Sequence, residues 1–350
     1  MTNSIAIVND THFGARNDKE VFLNNQIEFF RDFFIPEIQK RGIKKMVWAG
    51  DVFDKRKNIN IRTLSRVRKE IFDKLKAAGI QIIMLAGNHD VYYKNTNEYN
   101  SIRELLGDYS NIEIIDTLPE VRGEFGGLHK VCYVPWICQA NYDDCMGMLD
   151  TTEARVVIGH FEIAGFDMHP GIPCHHGMQS KTFERFQKVL SGHFHTRSTV
   201  GNITYLGTQY QMTWADYGDP KGFNILHEDL ELEFVQHDNP MFIRLVYDPK
   251  DDSIYWPVPK KVKDKYVKII VKERDDETDS AIMVIRSGDP ADLKIVENAH
   301  NYTVEENLDV EVEDTATLMN KYVDTLELDV DPIRVKTILQ ELHTESLRVM

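Results

Sequence analysis

Side chains of metal-ligand type recur at one kind of position along this chain. Ser191-Gly192-His193-Phe194-His195 places two imidazoles two residues apart, just after the segment Phe186 to Leu190. In an extended segment, side chains at i and i+2 share a side, so both rings are expected to face one site. The same arrangement appears four times upstream. Asp10-Thr11-His12 follows Ile5 to Val8, and Gly50-Asp51 follows Met46 to Ala49. Gly87-Asn88-His89-Asp90 follows Ile82 to Ala86, and Gly159-His160 follows Val156 to Ile158. Taken singly, each is an ordinary turn former or a core histidine. Five strand tips ending in ligand types point instead to one shared site.

A set of Asp, His, Asp, Asn, His, His and His suits two divalent ions of borderline hardness. Imidazole nitrogen with carboxylate oxygen favours manganese, iron or zinc over magnesium alone. Asp51 has the lone pairs to bridge both ions. Two such ions roughly 3.5–4 Å apart generate a nucleophile from water and clamp phosphate oxygens. A histidine just outside them could protonate the leaving oxygen or stabilise transition-state charge, and Asp90 could orient its neighbour His89.

The elements that must position these residues alternate. Ile5–Val8, Met46–Ala49 and Ile80–Ala86 read as buried strands. Between them lie helix patterns over Glu20–Arg41, with a kink expected at Pro36, and over Ile61–Ala78, where Leu64, Val67, Ile71, Leu75 and Ala78 fall at helical spacing. This is an α/β layered class. From Ile112 onward, strands at 112–115, 131–134, 155–158, 203–206, 223–226 and 232–235 have fewer helices between them. A second, more antiparallel sheet packed on the first is expected, giving a four-layer α/β/β/α sandwich. Turn residues cluster at Tyr247-Asp248-Pro249-Lys250-Asp251-Asp252, so a boundary is read there. The expected domains are 1–247 for the chemistry, 248–304 as a small α+β cap, and 305–350 as an acidic linker followed by helices over Ala316–Leu326 and Pro332–Leu347.

Composition narrows the class. The 350 residues can bury a large core, and no apolar run approaches the ~20 residues that span a bilayer. Met1-Thr2-Asn3-Ser4 runs straight into a strand, so no signal peptide is expected. Cys132, Cys138, Cys145 and Cys174 have no CxxC spacing, which fits free thiols in a reducing, cytoplasmic setting. The net charge of -15 by itself argues against a nucleic-acid partner. It hides a basic stretch running from Lys55 through Arg56, Lys57, Arg62, Arg66 and Arg68 to Lys69, beside the Asp51 loop, and an acidic one at 305–314. The basic stretch could grip phosphates or could be a solvated helix face. Tyr92, Tyr93 and Tyr99 follow the Asn88-His89 loop and could stack on bases, with packing the expected role for at least one. His169, Cys174, His175 and His176 fit no structural zinc spacing.

The order Asp10-x-His12, Gly50-Asp51, Gly87-Asn88-His89-Asp90, Gly159-His160, Gly192-His193-x-His195 resembles the calcineurin-like metallophosphoesterase superfamily. Gly50-Asp51-Val52-Phe53-Asp54, Tyr205-Leu206-Gly207-Thr208 and Gly218-Asp219-Pro220-Lys221-Gly222-Phe223 make it similar to the SbcD-type double-strand-break repair nucleases, above all those of T-even-like phages. These motifs cover about residues 1–225. The resemblance implies one metal on Asp10, His12, Asp51 and His195 and another on Asp51, Asn88, His160 and His193, with His89 catalytic. It implies two Mn2+ ions, with Mg2+ as a possible substitute. The implied activity is double-strand exonuclease and single-strand endonuclease action on DNA. The implied assembly has two nuclease and two SMC-like (SbcC-type) ATPase subunits, the nuclease subunits forming a homodimer and the C-terminal helices docking on the ATPase. The implied setting is the host cytoplasm, with no membrane. Asp54 stands where some relatives carry a second active-site histidine, and no role is assigned to it. A phosphatase acting on phosphoprotein or a small phosphoester would share the metal centre. Such enzymes usually carry Asp-Arg-Gly after the second aspartate motif, whereas this chain has Phe53-Asp54-Lys55-Arg56. A non-catalytic scaffold would not need an intact ligand set.

Overall fold

The computed structural model describes residues 3–169, 172–250, 259–297 and residue 335. Residues 1–301 form one compact unit and 302–350 a second. The acidic linker at 305–314 and the helices read over 316–326 and 332–347 lie outside the described residues, apart from Val335, which is helical.

Two six-stranded sheets form the centre. The first runs, edge to edge, Leu232–Gln236, Gly222–Leu226, Ile5–Val8, Lys45–Ala49, Gln81–Leu85 and Ile112–Ile115. Its last four strands are parallel. The second runs Ser198–Val200, Ile203–Tyr205, Lys188–Gly192, Val156–His160, His129–Val134 and Glu120–Glu124. Its four central strands are also parallel, and only its edges are antiparallel.

This corrects the expected organisation in two ways. The second sheet is not dominated by antiparallel pairing. The strands at 112–115, 223–226 and 232–235 belong to the first sheet. Helix Ser101–Leu106 lies on the crossover that brings Ile112–Ile115 back beside Gln81–Leu85, while Gly222–Leu226 returns antiparallel to Ile5–Val8.

Continuous apolar strands follow from burial on both faces. Ile5, Ile7, Val47, Ala49, Ile83 and Leu85 point between the sheets, against Val131, Tyr133, Val156, Ile158 and Leu190. Ala6, Val8, Met46, Trp48, Ile82 and Met84 point outward onto Phe29, Phe30, Phe34, Val67, Ile71, Phe72 and Leu75 of the helices. Behind the second sheet, Cys132, Val134, Val157 and Val189 meet Cys145 and Leu149 of helix Tyr142–Thr151. The four-layer sandwich is complete. All four cysteines are buried free thiols.

Both long helices carry a wide turn. Residues Phe29–Phe34 and Arg68–Phe72 interrupt α-helical pitch with i to i−5 bonding. The first wide turn ends just before helix Ile35–Lys40, whose first turn holds Pro36. Trp48 ties this packing to the chemistry. Its ring stacks on Phe30 at 5.2 Å, and Nε1 donates to Thr11 Oγ1 at 3.2 Å. Thr11 sits between Asp10 and His12, and emptying the Trp48 site would cost about 3–5 kcal/mol.

A smaller three-stranded parallel sheet follows, built from Phe242–Tyr247, Tyr266–Val271 and Asp292–Glu297. Helix Thr278–Arg286 buries Ile282 and Ile285 against it. The strand Phe242–Tyr247, which a boundary at 247 leaves in the first domain, pairs along its length with Tyr266–Val271. The smaller sheet joins the sandwich through Phe22, Met241, Phe242 and Tyr266, and through Gln211 Oε1, which accepts the Met241 and Phe242 amides at 2.9 Å.

Candidate metal centre

All five ligand-bearing loops leave parallel strands at the same end, at the seam between the sheets. Two glycines make the approach possible. Gly50 has φ +92°, and a Cβ there would lie 2.3 Å from His160 Nδ1. A Cβ on Gly87 would lie 2.2 Å from Asp51 Oδ1. Asp10, His12, Asp51 and His193 themselves adopt left-handed backbone, at φ 47°, 44°, 52° and 90°. Non-glycine residues pay for that conformation, and it persists where the surroundings over-determine it, commonly at functional sites.

The side chains converge in overlapping clusters. Asp10, His12 and His195 form one, and Asp51, His160 and His193 form another. A third contains His12, Asp51 and His89, so Asp51 belongs to both sides. Asn88 Oδ1 lies 2.9 Å from His160 Nε2 and 2.9 Å from His193 Nδ1. His12 Nε2 lies 3.2 Å from His195 Nε2. Asp10, Asp51 and His160 are buried, while His89, His193 and His195 form the accessible side.

Partners outside the cluster decide which nitrogen faces in. His160 Nδ1 donates to the Ala49 carbonyl at 2.9 Å, leaving Nε2 for the site. His12 Nδ1 lies 3.5 Å from Asp54 Oδ1, leaving its Nε2 inward. His193 Nε2 lies 3.7 Å from Glu162 Oε2, turning Nδ1 inward. His89 Nδ1 donates to the Asp54 carbonyl at 2.6 Å. The inward atoms are then lone pairs facing lone pairs, as at His160 Nε2 and Asn88 Oδ1. Such convergence of acceptors is what a divalent cation satisfies, and the residues fit one.

Without a cation, protons answer the same field. Burial alone would lower His12 and His160, but it is outweighed. Asp54, Asp51 and Asp10 push His12 up to about 9, and Asp51 and Asp10 push His160 up to about 9. Burial opposes ionisation of Asp51, yet His160, His89 and His12 hold it well below the usual carboxylate range. Burial, helped by the charge of His12, takes His195 down to about 4.

Every ligand-type residue read from the sequence therefore arrives at the site. Two details differ. Residues 193–195 are not extended, because His193 turns left-handed. The two imidazoles consequently part, His195 toward Asp10 and His12, and His193 toward Asn88 and His160. Asp90 is not the residue that orients His89. Its carboxylate accepts the Val52, Phe53 and Gly87 amides at 3.0, 3.3 and 2.9 Å, clasping the second and third loops together. Burial and the charge of Asp51 nevertheless push Asp90 up to about 7. Arg66 and Arg68 of the basic stretch are engaged by Glu70 and Asn24 and by Asp108, the solvated-face alternative.

Four contributors escaped the sequence. Asp54 holds His12 and His89, and Glu162 faces His193. Trp136 packs on His193 at 5.3 Å, and Asn9 Nδ2 donates to Asp10 Oδ2 at 2.5 Å. Asp54 lies three residues after Asp51 and Glu162 two after His160, the nearest thing to a signal. Cys174 is buried, with Sγ donating to the His176 carbonyl at 3.1 Å, and belongs to no ligand cluster among the described residues.

Comparison with known proteins adds three findings. Residues 4–197 match the family described as calcineurin-like phosphoesterase. Exonuclease subunit 1 of Enterobacteria phage T4 is 31% identical over 345 residues, spanning 96% of this chain and 97% of that protein. Among solved structures, purple acid phosphatase PPD1 from yellow lupin (Lupinus luteus) seeds aligns with a TM-score of 0.33 at 13% identity, over 56% of this chain and 38% of that one.

Proposed function

This chain belongs to the calcineurin-like phosphoesterase family, and from that premise we propose that it is a two-metal DNA nuclease, the nuclease subunit of a recombination or repair complex. It is a phosphoesterase whose centre takes divalent metal. The observation that carries the nuclease reading is the similarity to an exonuclease subunit over nearly the whole chain, and the sharing of Asp51 between two ligand clusters supports the two-metal part of it.

Asp10, His12, Asp51 and His195 would hold one ion, and Asp51, Asn88, His160 and His193 the other. Manganese fits this mixture of imidazole and carboxylate. Bound there, the ions would supply an activated water and positive charge against the phosphoryl oxygens. The chain's own work is orientation and proton transfer. Asp54 and Glu162 fix the His12 and His193 rings, and the Ala49 carbonyl fixes His160. With Nδ1 donating to the Asp54 carbonyl, His89 in its imidazolium form would carry its second proton on Nε2, pass it to the leaving oxygen and return to the neutral ring. Burial lowers His89 below the ordinary imidazole value, and the negative charge of a bound phosphodiester would raise it again.

The proposed assembly pairs two copies of this chain with two SMC-like ATPase subunits. In the proposed division, the two-sheet sandwich supplies the chemistry, the smaller three-stranded module shapes DNA access, and 305–350 reach the ATPase. The relative's name as a subunit supports a complex.

The test sets linear double-stranded DNA against p-nitrophenyl phosphate, each with manganese and with magnesium. Manganese-dependent loss of DNA is expected, and Asp51→Ala should fall to background. Hydrolysis of the monoester alone would replace this reading with a phosphatase.

A further inference from the structure

Three large aromatic side chains stand in solvent on one short hairpin. Strands Val91–Tyr93 and Thr96–Asn100 pair antiparallel directly after the Asn88-His89 loop. Tyr92, Tyr93 and Tyr99 are 40%, 51% and 55% exposed. The pairing slips between Val91 and Tyr93, and the consecutive rings of Tyr92 and Tyr93 meet edge to face at 4.7 Å. Tyr93 and Tyr99 meet edge to face at 6.2 Å. None of the three is a core residue.

The hairpin is held rigidly. Asn97 is buried, and its Nδ2 donates to the Asp116 carbonyl at 2.8 Å and the Trp136 carbonyl at 2.7 Å. Asn100 Nδ2 donates to Asp116 Oδ2 at 2.9 Å, and the Ala140 amide donates to the Asn95 carbonyl at 3.0 Å. Trp136 in turn packs on His193. The aromatic cluster is thus tied to the metal centre through Trp136 and through the chain itself, since His89 and Tyr92 are three residues apart. Positive charge accompanies it. Lys57 Nζ lies 5.5 Å from the Tyr92 ring centroid, and Lys94 is exposed at the hairpin turn.

We propose that Tyr92, Tyr93 and Tyr99 form a stacking platform for unpaired bases of the DNA strand whose phosphodiester lies at the metal centre. This deepens the nuclease reading and rests on it. Aromatic faces take any base, so such a platform grips strand without reading sequence, and the two lysines match the phosphates between bases. It serves a nuclease that draws in a separated strand.

The test is binding in EDTA, so that no strand is cut. A fluorescein-labelled single-stranded oligodeoxynucleotide is compared with an abasic strand of equal length by anisotropy. The wild type is expected to prefer the strand carrying bases. Tyr93→Ala and Tyr99→Ala should each raise the Kd for that strand roughly five- to hundredfold and leave the abasic Kd unmoved, with Tyr93→Phe restoring binding. Preference kept in both alanine variants, equal losses on both strands, or no preference in the wild type would each overturn the platform. Manganese-dependent cleavage of linear DNA by the wild type is scored beside it. Cleavage without base preference sinks the platform alone, whereas a wild type inert on DNA sinks the nuclease reading and the platform with it.

Discussion

A neutral imidazole that gives its Nδ1 proton to an oxygen keeps only a lone pair on Nε2, and much of this site follows from where each such proton goes. His160 presents a lone pair to the centre because the Ala49 carbonyl takes its other side, and the Asp54 carboxylate, 3.5 Å from His12 Nδ1, biases His12 the same way. Partners of this kind commonly carry ten- to hundredfold of a site's metal affinity. Asp54→Ala is therefore expected to weaken manganese binding about 10–100-fold by titration calorimetry. Unchanged affinity would show that the carboxylate does not hold His12. His89 is a different case, since Asn88 already supplies the oxygen at its loop. His89→Gln should keep manganese and DNA binding and lose turnover by about 10²–10⁴-fold. Manganese content falling in step with activity would make His89 a ligand instead.

At the scale of elements, parallel strands explain why five loops meet. Their C-terminal ends lie on one edge of each sheet, and Gly192 pairs with His160 in register, so the fourth and fifth loops leave side by side. The antiparallel flank carries a different consequence. His237 follows strand Leu232–Gln236 and packs on Phe29 and Phe33 at 5.1 and 4.6 Å. Burial first, and Lys265 next, take it down to about 4, with Asp238 opposing. Its folded value lies below its unfolded value of 6.5, so the native state binds the proton more weakly. The stability it contributes is whole above pH 6.5 and drains as pH falls toward 4. His237→Phe should remove that loss, a relative gain of about 2 kcal/mol at pH 5 over pH 8 in urea unfolding. Parallel losses in the two proteins would show that His237 does not titrate in this way.

For the whole molecule, charge and chemistry pull apart. A chain of net charge -15 repels DNA at long range, so affinity has to come from a local surface and from bound cations. The tyrosine hairpin with Lys57 and Lys94 is such a surface. Association with a second subunit is the other route. Deleting 328–350 is expected to spare the proposed exonuclease activity and abolish co-purification with the proposed ATPase subunit. Co-purification unchanged by the deletion would refute the partner assignment for that segment.

The amino-acid sequence alone determined the candidate ligand types and their order, because a ligand-type side chain at the end of a buried strand, or within four residues past it, is a local feature. Ile5–Val8 before Asp10 and Met46–Ala49 before Asp51 are legible from residue type and spacing. It did not determine which sheet takes Ile112–Ile115 or Gly222–Leu226, since pairing depends on partners far along the chain. Nor did it determine that His193 and His195 face different clusters, that Asp90 spends its oxygens on backbone amides, or that Asp54 and Glu162 aim the imidazoles. Those outcomes rest on hydrogen bonds and backbone turns between segments that meet only when both sheets close, and no local pattern encodes a contact of that range.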